Sequence, residues 1–593
     1  MSRGREIFRM LVRGYKTQLE EMGPMKRIKP SSKVPPSAPP PSSSMLQPPK
    51  KPLEIRGKLE LIESEREMEE IEIPIFKPTK ISRIGLEEVE ETKDFKTSYP
   101  LIPLKPSKNQ PVFAYTQIGW NDKKASYEYK LIEPKLTPSL KKIFIKVKNL
   151  LEEKLNVDLS KLKATEAKGY LHKQAHQILD YFEIKVSDTE RKIINFYIDR
   201  DLLGLGNIEA LMRDPEIEDI SCDGIGIPIY VFHRNPVLGS IPTNIVFEKG
   251  EELDSYLIRL AQLCGQSISV IDPLLGGTLP DGSRIQGTLS TDIARRGSNF
   301  TIRKFTKIPF TPTHLLRFET IDIRTLAYLW YLVDSGSSVL VSGGTATGKT
   351  VLLNILSLFI RPEKKIVSIE DTAELKLPHP HWVPHVARVP MATEAGRLRG
   401  EVDLFDLLKE SLRQRPDYII VGEVRGKEAY VLFQQMATGH PSLATVHAET
   451  VEKLVNRLTT PPVSLPPSLL ESLDLILFLI NMRYRGKYVR KVKSVHEVTG
   501  FDLKTKKLKA SKVFEWSAAT NKIEVKNKSH ALWKVMNKSG LKEENVIEEL
   551  KRRMAILNWM NEQNIIDYRD VSHVIDLYYD FPEQVMNIIS GEV

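Results

Sequence analysis

Apolar and polar positions change rhythm along the chain, and each rhythm predicts a different kind of element. Ser139 to Leu155 (SLKKIFIKVKNLLEEKL) has apolar residues at helical spacing. Residues 164–200 carry two further helical patterns. Pro228–Phe232 (PIYVF) and Ile241–Phe247 then read as strands, Glu251–Cys264 as a helix, and Asn299–Phe305 (NFTIRKF) alternates as a half-buried strand does. Pro309 and Pro312 bracket an extended connection, where the main domain boundary is expected.

From Ile321 the period shifts to strand and helix in alternation. A helix runs to about Val333, and Ser338–Ser342 is a short strand followed by a glycine-rich turn and a helix from Lys349 to Phe359. Lys365–Ile369, Tyr418–Val421 and Leu443–Val446 are short, apolar strands, which predicts a parallel sheet covered on both faces. The most hydrophobic run, Leu473–Met482, contains Asp474 and is too short to span a membrane, so it reads as one more buried strand. Hairpin-like basic segments follow residue 483, and a helical tail occupies about Ala531 to Ile589.

Composition alters this picture mainly at the start of the chain. Ten prolines lie between Pro24 and Pro52, interleaved with six serines, a composition that cannot support a core or a hydrogen-bonded ladder. Residues 1–56 hold twelve Lys/Arg against four Asp/Glu, a net +8, leaving only +2 of the chain's +10 for the other 537 residues. The tail is expected to be disordered and able to touch anionic lipid. The nearly neutral body lacks a nucleic-acid footprint. Cys222 and Cys264, the only cysteines, form no CxxC pair and cannot build a four-cysteine zinc element, which suits a reducing compartment. The expected division is therefore a tail (1–56), an extension of uncertain character (57–135), an α+β domain (136–308), an α/β core (309–483) and a C-terminal hairpin-and-helix subdomain (484–593).

The sharpest chemical signal is Gly343-Gly344-Thr345-Ala346-Thr347-Gly348-Lys349-Thr350, followed by Val351. It fits GxxxxGK[ST] after a strand and before a helix, the context a phosphate loop requires. Lys349 would meet the β- and γ-phosphates of ATP, and Thr350 would ligate Mg²⁺. Glu423 ends the apolar strand YIIV and can hold the same Mg²⁺, directly or through water. Glu370 and Glu374 lie in IEDTAE after another strand, and either could position the attacking water. His440 and His447 form a further cluster; His447 ends another sheet strand, where a neutral imidazole could sense a γ-phosphate. Arg284, Arg295, Arg296 and Arg303 precede the boundary and could reach a phosphoryl group from outside the loop's own domain.

In this order, the phosphate loop, IEDTAEL, RPDYIIVGEVRG and TGHPSLATVHA resemble the secretion-motor ATPases of type II and type IV secretion, type IV pili and the archaellum. DPEIEDISCDGIGIPIYVFHR (214–234) and the region beyond 483 look most like the archaeal branch. The resemblance implies a RecA-like ATPase core beneath an α+β N-terminal domain, ATP and Mg²⁺ as ligands, and Glu374 as the catalytic glutamate with Glu370 as its neighbour. It further implies Glu423 as the Walker B acid, Arg284 and Arg303 as sensing arginines, and His440 and His447 as the histidine box. A homo-hexamer is implied, docked on a polytopic membrane platform protein at the cytoplasmic face of the membrane and acting indirectly on pilin-like subunits. The other class considered is a nucleic-acid-translocating hexamer, which the neutral body disfavours.

Overall fold

The computed structural model describes residues 95–591, apart from Asn109, 155–163, Pro236, Thr291, 306–308, 389–391, 395–396, Glu401 and 503–506. The expected tail lies outside the described residues. Two nine-stranded sheets organise the molecule.

The N-terminal sheet begins with three antiparallel strands, Thr97–Ile102, Ala114–Asn121 and Ser126–Ile132. The third meets Gly239–Val246 in a parallel bridge between Tyr129 and Thr243. The sheet then continues through Pro228–His233, Ile217–Cys222, Asn299–Arg303, Arg284–Thr288 and Leu274–Thr278, all antiparallel. Within the extension of uncertain character (57–135), the strands from Thr97 to Ile132 pair into the N-terminal sheet. Asp214 fastens it: the hydroxyls of Tyr99 and Tyr129 both donate to Asp214 Oδ2, at 2.8 and 2.7 Å. Helices Pro138–Lys154, Ala164–Tyr181, Asp188–Ile198 and Gly250–Leu263 fall where the helical spacing predicts them. Their apolar faces share one core with the sheet, centred on Leu171, Ile220, Leu257 and Phe300.

The second sheet runs Trp382–Val386, Ile366–Glu370, Tyr418–Val424, Ser442–Val446, Val339–Gly343 and Leu475–Tyr484, all parallel. Every residue of Val339–Gly343, Ile366–Glu370 and Ser442–Val446 is buried, as a sheet covered on both faces demands. This is the RecA-like arrangement. The sheet does not stop at residue 483. Leu475–Tyr484 turns back antiparallel into Lys487–Asp502, which pairs with Lys507–Ser517 and then Lys522–Val525. The hairpins expected as part of a C-terminal subdomain are thus the last three strands of the second sheet, because a strand with a buried inner half needs a partner on each edge.

The C-terminal helices are equally integral. Helix Ile323–Asp334 is buried from Thr325 to Val333, apolar nearly all round. Glu543–Glu562 and Tyr568–Asp580 cover its outer side. Trp330 stacks on Phe359 with centroids 5.2 Å apart and donates its indole N–H to Tyr579 (2.8 Å). Arg553, 3% exposed, pairs with Asp334 at 2.7 Å and with Glu549.

Candidate functional site

The glycine-rich turn leaves the C-terminal end of strand Val339–Gly343 and opens helix Lys349–Ser357. Two positions require glycine. A Cβ on Gly343 would lie 2.8 Å from the Leu479 carbonyl oxygen, and Gly348 holds φ at +89°. Ala346 also has a positive φ, +57°. The first helical turn leaves backbone N–H groups without intrahelical partners, and with the helix dipole these suit an anion.

Lys349 Nζ donates to the Gly344 carbonyl at 2.9 Å, arching back over the loop. Burial lowers its pKa, the negative charge of Glu423 opposes that, and Arg303, Arg425 and Arg457 depress it further. Like charges gathered around a lysine are what a polyphosphate ligand would relieve. Thr345 Oγ1 shares a hydrogen bond with His447 Nε2 at 2.9 Å. Burial and the Lys349 charge keep the His447 imidazole below its usual pKa, which favours the neutral ring.

Three further strand ends converge on the loop. Glu423 accepts a hydrogen bond from Arg425 at 2.7 Å. Burial works against its ionisation, but Arg425, Lys349 and His447 outweigh it and hold the carboxyl below its ordinary value. Arg425 also pairs with Asp371 at 3.3 Å. Glu370 and Glu374 are distinguished by their surroundings. Glu370 is 2% exposed, and its Oε1 accepts the backbone N–H groups of Glu374 (2.9 Å) and Leu375 (3.0 Å). Burial pushes Glu370 up to about 7. Glu374 is a third exposed and meets Arg284 Nη2 at 2.9 Å. Glu370 therefore shapes the turn, and Glu374 is presented at its surface.

The N-terminal sheet supplies the arginines. Strands Arg284–Thr288 and Asn299–Arg303 bury Ile285, Phe300 and Ile302 and turn Arg284 and Arg303 to the other face. Arg284 reaches the acidic turn. Arg303 pairs with Asp219 at 3.5 Å and lies within electrostatic range of Lys349. Arg295 and Arg296 belong to the turn before Asn299; the Arg296 carbonyl accepts from the Ile225 N–H. His440 is also separated from the site. It precedes strand Ser442–Val446, whereas His447 follows it, so the two histidines sit at opposite edges of the sheet. His440 contacts Thr438 at 3.2 Å.

Residue types also test the ligands. Among the described residues no group of three or more His, Cys, Asp and Glu could hold a metal by itself. Thr350, in the first turn of its helix, and Glu423 offer one hydroxyl and one carboxylate, a donor set that suits Mg²⁺ shared with phosphate oxygens and waters. The sequence pattern did not single out Arg425, Arg457 or Arg490. Arg490 donates to the Ala346 carbonyl from a strand 144 residues away, which no local motif reveals.

A family model described as "Type II/IV secretion system protein" matches residues 270–549. An uncharacterized protein of Methanocaldococcus jannaschii is 40% identical over 402 residues, covering 67% of this chain and 72% of that protein. The type IV secretion system protein PtlH of Bordetella pertussis is 31% identical over 231 residues, 35% of this chain and 67% of PtlH. Among solved structures, the ATPase DotB of Legionella pneumophila aligns with 61% of this chain and 92% of its own at 17% identity, with a TM-score of 0.35.

Proposed function

The chain belongs to the type II/IV secretion system protein family, and from that premise we propose that it is an ATP-hydrolysing motor that powers protein secretion or the assembly of a pilus-like filament. The observation that carries the proposal is the 2.9 Å contact between Arg284 of the N-terminal sheet and Glu374 of the acidic turn. It puts an arginine of one domain beside the carboxylate best presented for activating water in the other.

In this scheme the loop amides and Lys349 bind the phosphates of ATP, and Thr350 and Glu423 would hold Mg²⁺, which would supply positive charge to offset the phosphate oxygens. Glu374 orients the attacking water and takes its proton. Arg284 and Arg303 stabilise charge on the transferring phosphoryl group, so domain closure and hydrolysis become one event. Freed from Glu374 by the nucleotide, Arg284 would turn to the γ-phosphate and leave the carboxylate available as base.

The working form is proposed to be a homo-hexamer docked on a polytopic membrane protein at the cytoplasmic face, with pilin-like subunits moved indirectly. Among the described residues no helix is long and apolar enough to cross a membrane. The near-neutral body beyond residue 56 favours a protein cargo over a nucleic-acid track.

The test is Mg²⁺-dependent ATPase activity of the full chain and of Lys349→Ala, with mass measurement in a non-hydrolysable ATP analogue. Loss of turnover in the variant and a six-subunit mass in the wild type are expected. Turnover near wild type in Lys349→Ala removes the proposal, and strong stimulation by DNA would redirect it to a nucleic-acid motor.

A further inference from the structure

The hairpin joining Leu475–Tyr484 to Lys487–Asp502 touches both the phosphate loop and the N-terminal domain. Arg490 lies on its returning strand, paired in register with Asn481. Arg490 Nε donates to the Ala346 carbonyl at 3.0 Å, and Asn481 Nδ2 reaches the same oxygen at 3.4 Å. The Nη2 of Arg490 donates to both carboxylate oxygens of Glu218, at 3.0 and 3.2 Å. Glu218 is on strand Ile217–Cys222 of the N-terminal sheet, next to the Asp219 that pairs with Arg303. Two residues before Arg490, Tyr488 lies against Gly239 of the same sheet, where a Cβ would come within 2.9 Å of its ring.

The bond to Ala346 acts on the loop's most strained residue. A positive φ is costly for a residue with a Cβ, and an external hydrogen bond to its carbonyl selects that conformation. In a trans peptide the N–H points opposite to the C=O. With the Ala346 carbonyl held by Arg490, the Thr347 N–H is directed away from Arg490. An arginine suits this position because its planar fork can serve a carbonyl and a carboxylate at once, which a lysine ammonium does less well.

We infer that Arg490 is a positioning residue for ATP turnover: it holds the apex of the phosphate loop ready for a phosphate and, through Glu218, ties that loop to the N-terminal domain. This rests on the nucleotide reading above. Binding of a phosphate pulls on the Ala346–Thr347 peptide, and the pull passes through one guanidinium to the strand that also positions Arg303. Loop and arginine-bearing strand then respond to nucleotide together.

The test uses the full chain carrying Arg490→Ala, Arg490→Lys and Glu218→Ala, assayed for ATPase kinetics, binding of a fluorescent ADP analogue and melting temperature. Arg490→Ala should raise KM for ATP and weaken ADP binding by at least ~10-fold, the scale of a lost charged hydrogen bond. Arg490→Lys should recover much of the ADP affinity, because an ammonium can still reach Ala346, but not the full kcat. Glu218→Ala should keep ADP affinity within about twofold and lower kcat by about threefold or more, since only the link to the N-terminal domain is cut. A purely structural role would lower the melting temperature without this split between KM and kcat. Wild-type KM and ADP affinity in Arg490→Ala overturn the inference. If Arg490→Ala does not fold, unchanged kcat in Glu218→Ala overturns it. Lys349→Ala measured alongside separates the two failures: activity there defeats the nucleotide reading itself.

Discussion

The two nine-stranded sheets solve different problems with the same number of strands. In the ATPase sheet, strands such as Val339–Gly343 and Ser442–Val446 are buried at every position, so their side chains are committed to packing and only their ends are free for chemistry. The N-terminal sheet alternates. In Asn299–Arg303, Phe300 and Ile302 face the core while Thr301 and Arg303 face outward. One sheet therefore concentrates the phosphate loop, Glu370, Glu423 and His447 at a single edge. The other spreads Arg284, Arg303, Asp219 and Glu218 over a face that is presented to that edge. A rigid edge meeting a decorated face is suited to a site that must open and close, because neither core is disturbed when the two separate.

Substitutions at the edge and on the face can break or sharpen this contrast. At the edge, Glu374→Gln should slow hydrolysis by at least ~10²-fold while permitting ATP binding, the usual range for a positioned base. Glu370→Gln should slow it less, since an amide oxygen can still accept from Glu374 and Leu375; single-turnover rates for both decide it. The opposite ranking would make the buried acid the base.

On the face, Arg284→Ala and Arg303→Ala should each lose at least ~10-fold in turnover with ADP affinity little changed, a conservative fraction of what such an arginine contributes. Turnover unchanged in both, at equal ADP affinity, would mean that the face is only a surface.

Burial of Glu370 has a stability consequence with a definite sign. Its folded value, about 7, lies above the ordinary 4.5, so its favourable contribution is complete below pH 4.5 and lost as pH rises through 7. The loss is of order 3 kcal/mol. Glu370→Gln cannot ionise and should show a smaller drop in melting temperature between pH 5 and pH 8 than wild type. An identical pH profile would mean that the carboxyl titrates normally.

The smallest contrast is within one strand. His447→Ala, which removes the contact to Thr345, should cut turnover more than His440→Ala, which removes a contact at the far edge. Equal losses measured in the assembled protein would show that His440 serves a site outside its own subunit.

Much of this arrangement is legible in the residues. The apolar runs at 338–342, 365–369, 418–421 and 443–446 announce buried parallel strands, and the glycines at 343 and 348 announce the loop between strand and helix. The positions of the two histidines could also have been read. His440 and His447 flank the five-residue strand Ser442–Val446. At ~3.3 Å per strand residue they stand at its two ends and cannot share an edge. Other features were hidden because they depend on partners distant in sequence. Thr97–Ile102 contains a proline and has only Leu101 fully buried, so nothing local marks it as a strand of a larger sheet. The continuation of the ATPase sheet past residue 483 depends on pairing that begins only once Leu475–Tyr484 has an open edge. Arg490 carries no motif, and its role follows entirely from where the returning strand places it.

The helix Ile323–Asp334 sets a timetable for making this protein. Trp330 finds its hydrogen-bond partner Tyr579 only 249 residues later. At ribosomal rates of about 5–20 residues per second, the apolar helix emerges roughly 12–50 s before the segment that covers it exists. Over that interval the growing chain carries an uncovered greasy rod beside a half-formed sheet, a natural target for chaperones. Premature termination before Glu543 would remove both covering helices and leave its outer side exposed for good, and such products should be found in aggregates rather than as shortened motors.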